Sequence, residues 1–254
     1  MKYLNKINEL QFILFLAAGL VVIMTFISFL SLPSLPPSEV RMTNITDSSL
    51  VISWLTDEPT QGGVVISTQP NRALRFFDFF LCEYFSFDCF VFLDKIEKPS
   101  NNCYVFLNNL NPESAYYYRI VSGGRFWKND KEGEILPSLR TGAVLSELSL
   151  PNPVFSWVLQ GDGQTAAQGA LVFLSLIGGE ERSVVKSQLL STFTDAKGIW
   201  QVDLGNLRSL ESAEIISPIL GDLLLVEVWA PDGRKFAEFT EIGQEIEVEP
   251  IILR

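Results

Sequence analysis

The sequence predicts an all-β protein: two β-sandwich modules in series behind one N-terminal transmembrane helix. Three observations predict it. A charge-free apolar run occupies residues 12–32. Beyond it, apolar residues alternate with period two in short stretches separated by turn-rich segments. No long amphipathic helical pattern occurs outside that run and part of one aromatic segment.

The run from Phe12 to Leu32 reads FILFLAAGLVVIMTFISFLSL. Twenty-one helical residues at about 1.5 Å each span roughly 30 Å, the thickness of a bilayer core. The apolar stretch of a cleaved signal peptide is shorter, about 7–15 residues, and ends in small residues at a cleavage site. SFLSLPSLPPS offers no good site, and the first cysteine is Cys82, so an uncleaved anchor is expected. Lys2 and Lys6 precede the helix while Glu39 and Arg41 balance after it. That bias places a cytoplasmic stub at 1–11 and everything from Pro33 outside. Pro33, Pro36 and Pro37 make 33–38 a semi-rigid spacer. The expected location is thus the cell membrane, with a single pass and the C-terminal part extracytoplasmic.

With 254 residues the chain has room for one large or two ordinary domains. Its formal charge of −11 repels phosphate backbones, so nucleic acid is excluded as a partner. The chain contains no histidine, which removes the usual general base, nucleophile partner and commonest zinc ligand. Neither a catalytic site, a metal site nor a cofactor is expected.

Past the spacer, SLVISWLT (49–56) sets Leu50, Ile52 and Trp54 on one face and Val51, Ser53 and Leu55 on the other, a sandwich strand with a core tryptophan. GVVIST (63–68) and YYYRIV (116–121) repeat the alternation. In LNPESAY, Leu110, Pro112, Ser114 and Tyr116 resemble the L-x-P-x-T-x-Y signature leading into strand F of a fibronectin type III domain. The resemblance covers about 39–143 and extends to the fibronectin-like N-terminal domain of purple acid phosphatases. It implies that Trp54 is the strand B tryptophan and that Tyr116 forms a tyrosine corner, its hydroxyl bonded to upstream backbone.

An aromatic insertion, 70–103, interrupts this module. RFFDFFLCEYFSFDCFVFL (75–93) holds eight phenylalanines, and Ala73, Phe76, Phe77, Phe80, Leu81 and Tyr84 fall on one helical face. Asp78, Glu83 and Asp88 argue against a second span, each costing about 2.5–3.5 kcal/mol at a bilayer centre. Two readings stay open: local core, or a surface for another subunit, the second module or lipid headgroups, with Phe79 off the stripe as a contact residue. Phe85 to Leu93 suits a strand better. Cys82, Cys89 and Cys103 allow three disulfide pairings with one thiol left over. SGGRFWKNDKEGE (122–134) is expected as a loop between the last two strands, where exposed Arg125, Phe126 and Trp127 would suit a partner or a sugar face. Coplanar, exposed rings favour sugar; buried ones favour a spacer. Asn44-Ile45-Thr46 is a glycosylation sequon.

A linker at 144–152 leads to the second module, 153–254. VFSWVLQGDGQTAAQGALVFLSL followed by TFTDAKGIWQVDL resembles the carboxypeptidase-regulatory-like, transthyretin-like sandwich. The matching positions are Asp162-Gly163, Gly169-Ala170-Leu171-Val172, and Thr194-Asp195-Ala196-Lys197-Gly198 before Trp200, with Ser156 where the family's first strand has glycine. DLLLVEVWAPDGRKFAEFTEI reads as a hairpin turning at Pro231-Asp232-Gly233, and EIEVEPIIL as the last strand. The aspartates of these turns need no calcium. Together the two resemblances imply a structural or adhesive binding protein of the cell envelope, partnered with the cytoplasmic membrane and with other envelope proteins or surface glycans. A glycan-binding module and a non-catalytic accessory subunit of a surface hydrolase are the alternatives.

Overall fold

A computed structural model describes residues 35–69, 89–96, 99–127, 138–145, 149–179, 186–210, 213–243 and 248–254, together with Leu20. Apart from Leu20, the expected anchor at 12–32 lies outside the described residues, as do Phe79, Cys82 and the helical aromatic stripe. Among the described residues no helix is long and apolar enough to cross a membrane.

The first module contains β1 (Ser38–Thr43), β2 (Leu50–Thr60), β3 (Gly62–Ser67), β4 (Cys89–Leu93), β5 (Ser100–Leu107), β6 (Ala115–Ser122), β7 (Arg125–Trp127) and β8 (Ser138–Arg140). One sheet runs β1-β2-β5; the other runs β4-β3-β6-β7, with β8 pairing the far end of β6. Alternation builds the core between them. Leu50, Ile52 and Trp54 of β2 meet Val64 and Ile66 of β3 and Tyr116, Tyr118 and Ile120 of β6. Gly62 makes room for the tryptophan: a Cβ there would sit 2.3 Å from the Trp54 ring. This is a β-sandwich of two antiparallel sheets. The insertion is shorter than expected, because β4 and the first half of β5 fall within 70–103 and belong to the sandwich. β4 pairs with β3 from Ser67↔Cys89 to Gly63↔Leu93.

The second module contains β9 (Pro153–Leu159), β10 (Leu171–Gly178), β11 (Leu190–Phe193), β12 (Ile199–Asp203), a 3-10 turn at Leu204–Asn206, β13 (Leu223–Trp229), β14 (Lys235–Glu241) and β15 (Ile251–Ile252). Its sheets are β11-β10-β13-β14 and β12-β9-β15, the last pair parallel. Val172, Leu174, Val226 and Val228 pack against Val154, Val158 and Trp200 between the two sheets. Ser156 is buried, and its Oγ donates to the Glu249 carbonyl at 3.0 Å. Of the described residues of the expected last strand, 248–253, Ile251 and Ile252 form it.

The modules are not beads on a string. The β1-β2-β5 sheet lies against the outer face of the β11-β10-β13-β14 sheet, so four sheets stack with three apolar layers between them. The middle layer holds Val51, Leu55, Ile96 and Tyr104 from the first module and Leu171, Phe173 and Trp229 from the second. Seven buried side chains at about 1.5–3 kcal/mol each amount to roughly 10–20 kcal/mol before entropy and reference-state corrections. That is a domain core in scale, beyond what a loose contact between modules would supply.

Candidate functional site: the junction between the modules

The junction is built from side chains that leave β1, β2 and β5 on the face opposite the first core. Phe173 and Trp229 pack with ring centroids 4.6 Å apart. The Arg41 guanidinium of β1 lies over both rings, 4.7 Å and 4.5 Å from their centroids, and pairs with Glu227. Lys235 adds a second cation 5.2 Å from Trp229 while bridging Glu39 at 3.0 Å. Cations over an indole face are attracted by its quadrupole, more so when partly desolvated.

Polar groups pin the layer at both ends. Asn102, fully buried, donates through Nδ2 to the carbonyls of Gly169 (3.0 Å) and Trp229 (2.9 Å). Asn44 donates through Nδ2 to the Ser191 carbonyl (2.8 Å) and to Tyr104 Oη (3.2 Å), and its Oδ1 accepts the Ser191 N–H (2.7 Å). The Tyr104 hydroxyl donates to the same Ser191 carbonyl at 3.0 Å. Asn44 has φ +52°, a left-handed conformation asparagine tolerates better than most residues. The sequon amide is thus a pin between the modules. Two clefts flank the seam. One of about 280 Å³ lies by Thr46, Ser49, Gln201 and Asp203; one of about 470 Å³ is lined by Pro59, Ile96, Pro99, Phe193, Asp195 and Pro231.

The other expected site residues fall elsewhere. Arg125, Phe126 and Trp127 form a strand rather than a loop: Gly123 and Gly124, with φ +56° and +70°, turn the chain back so that β7 pairs with β6. Adjacent strand residues point to opposite faces. Trp127 packs on the first core, with Nε1 donating to the Ser122 carbonyl at 3.0 Å. Phe126 joins Val65, Val91, Tyr117 and Val121 on the outer face. The two rings therefore make no coplanar platform. Trp54, Leu110 and Tyr116 are buried, Pro112 is exposed at the corner, and the Asn111 N–H donates to Tyr116 Oη at 2.8 Å.

Cys103 is a free thiol in the first core, directly opposite Trp54, so neither pairing through it is made. Burial, reinforced by the Asp94 charge and a hydrogen bond to it, pushes the thiol far above its ordinary range. Asp94 is itself raised by burial while accepting the N–H groups of Ile96 and Tyr104. The turn carboxylates are occupied locally. Asp162 accepts from Thr165 Oγ1 and from the N–H groups of Gln164 and Thr165, and these bonds hold it down to about 2. Asp195, Asp222 and Asp232 likewise accept backbone N–H groups of their own turns.

Sequence reasoning missed Arg41, Asn102, Tyr104, Phe173 and Trp229 as junction residues. The signal was present. β2, β5, β10 and β13 are apolar on both faces, the pattern of strands covered on two sides.

Fold and junction together define an all-β protein of two sandwiches fused face to face. No protein-family model and no curated protein matches the chain. Among solved structures it is similar to a computationally redesigned β-sandwich protein (19% identity, TM-score 0.28, covering 44% of this chain and 100% of the other). It is similar also to PhoD (14%, 0.24, covering 51% of this chain and 23% of PhoD). A third is the central fibronectin-III array of RIM-binding protein (15%, 0.26, covering 85% of this chain and 66% of the array).

Proposed function

We propose that the chain is a membrane-anchored, extracytoplasmic structural or adhesive binding protein of the cell envelope, without catalytic activity of its own. The observation that carries this reading is the junction: a buried layer with paired cations and asparagine pins makes two sandwiches into one stiff block. A stiff block suits a part that holds other surfaces at fixed distance and angle. The uncharged segment 12–32 supports the anchor, and the lack of histidine together with the buried Cys103 supports a non-catalytic role. Under this reading the second module is of the carboxypeptidase-regulatory-like, transthyretin-like type, a spacer as the first is, and the partners are envelope proteins. The glycan reading loses its main support, since Phe126 and Trp127 leave opposite faces of β7. Protease added to intact cells, with outer layers permeabilised where present, tests the topology. The described sandwiches should be digested once loosened by denaturant and a membrane-embedded N-terminal fragment should remain; full protection of the sandwiches would reverse the topology. Crosslinking on the same cells should capture envelope proteins rather than soluble cytoplasmic ones.

A further inference from the structure

The third sheet of the stack ends in β14. All seven of its residues pair with β13 in unbroken register, from Leu223↔Glu241 to Trp229↔Lys235. Among the described residues no strand takes the other edge of β14. It has no proline and no bulge, two devices that commonly protect an edge, and Phe239 is 65% exposed. On one face Phe236 packs on the second module's core. On the other face Lys235, Ala237, Phe239 and Glu241 share a surface with Trp229, Glu227, Leu225 and Leu223. The Trp229 end of that surface lies under the first module. Towards its other end the same face emerges uncovered, with Leu223 37% and nearby Leu220 62% exposed. An apolar sheet face thus continues past a built interface to an edge that no described strand pairs.

We infer that β14 is a homodimer edge: two copies pair β14 with β14 antiparallel about a two-fold axis at Phe239, joining two four-stranded sheets into one of eight. Side chains choose this register. An axis at Glu238 would set two carboxylates directly opposite, and like charges there destabilise a ladder. Glu238 already sits where burial and the neighbouring Glu249 raise it. An axis at Ala237 would press Lys235 against Phe239 of the second copy and pull it from Glu39. The Phe239 axis sets the two exposed rings against each other, Glu238 against Thr240 and Ala237 against Glu241. It also runs the apolar stripe from Leu225 on into the second copy, where it meets its own image. Glu238 and Glu241 on the edge strand of a chain of charge −11 disfavour an anionic lipid surface as the occupant.

The test uses the full-length chain in detergent with Cys82 and Cys89 changed to serine, Cys103 being buried. Directly opposite residues in an antiparallel pair lie about 4.5–5.5 Å apart, within disulfide reach. The Phe239→Cys chain should form a covalent dimer under mild oxidation and the Ala237→Cys chain should not. In light scattering, Phe239→Lys should weaken the dimer at least tenfold, with an unchanged circular dichroism spectrum. A wild-type chain that stays monomeric at micromolar concentration overturns the proposal. So does a dimer that survives Phe239→Lys, which would belong to another surface, and so does crosslinking at position 237 as readily as at 239.

Discussion

The Tyr116 ring is 2% exposed, and its Oη takes the Asn111 N–H at the corner before β6. Tyr116→Phe keeps the ring and removes the acceptor, so the expected loss is about 1 kcal/mol, read from the urea midpoint. Asn44 carries more, because one amide makes two hydrogen bonds across the junction to Ser191 and a third to Tyr104, itself bonded to the same carbonyl. Asn44→Gly keeps the positive φ and removes all three, for an expected loss of about 2–3 kcal/mol. Asp162 makes a pH prediction. Its folded value is depressed to about 2 from 3.8, so its contribution is present above 3.8 and lost as pH falls towards 2. The stability advantage of the wild type over Asp162→Asn should therefore hold at neutral pH and vanish through that acid window, as measured by thermal melts across pH.

Strands β2 and β10 are the elements on which the architecture turns, because each faces two apolar layers. Phe173, fully buried in β10, belongs to the junction, while its neighbours Val172 and Leu174 belong to the second core. Phe173→Ala should cost about 3–5 kcal/mol, the range for a large aromatic removed from a packed site. Its signature should differ from that of a mutation inside one module. It should separate the unfolding of the two modules into distinct calorimetric steps, where the wild type melts in one. Two steps in the wild type would mean that the junction is weaker than its buried layer implies.

On the scale of the whole molecule, the stack makes each module depend on the other. The first module alone, residues 39–143, would present Val51, Leu55, Tyr104 and half-buried Phe106 to water on a single sheet face. Patches of that kind drive association. The isolated module should therefore bind a hydrophobic dye and self-associate, while the two-module chain with an intact junction does neither through this face. A well-behaved monomeric first module would argue that the junction is incidental.

Local pattern was legible because it depends on neighbours in the chain. The alternation of SLVISWLT, the corner at Leu110, Pro112 and Tyr116, and the hairpin turning at Asp232-Gly233 all follow from period two and from turn chemistry within a few residues. Even there one turn escaped. Gly123-Gly124 is a hairpin signal, yet the place of 122–134 between the last two strands reads as a loop, and β7 took Arg125, Phe126 and Trp127 into the sheet. By itself the sequence determined an all-β chain, the first sandwich, its tryptophan core and its tyrosine corner. Only the tertiary structure decided that Val51, Leu55, Leu171 and Trp229 share one layer, that Asn44 is a pin, and that Cys103 is an unpaired core thiol. The reason is physical: a strand apolar on both faces states that it is covered twice but not by what, and the cover lies more than a hundred residues away in the chain.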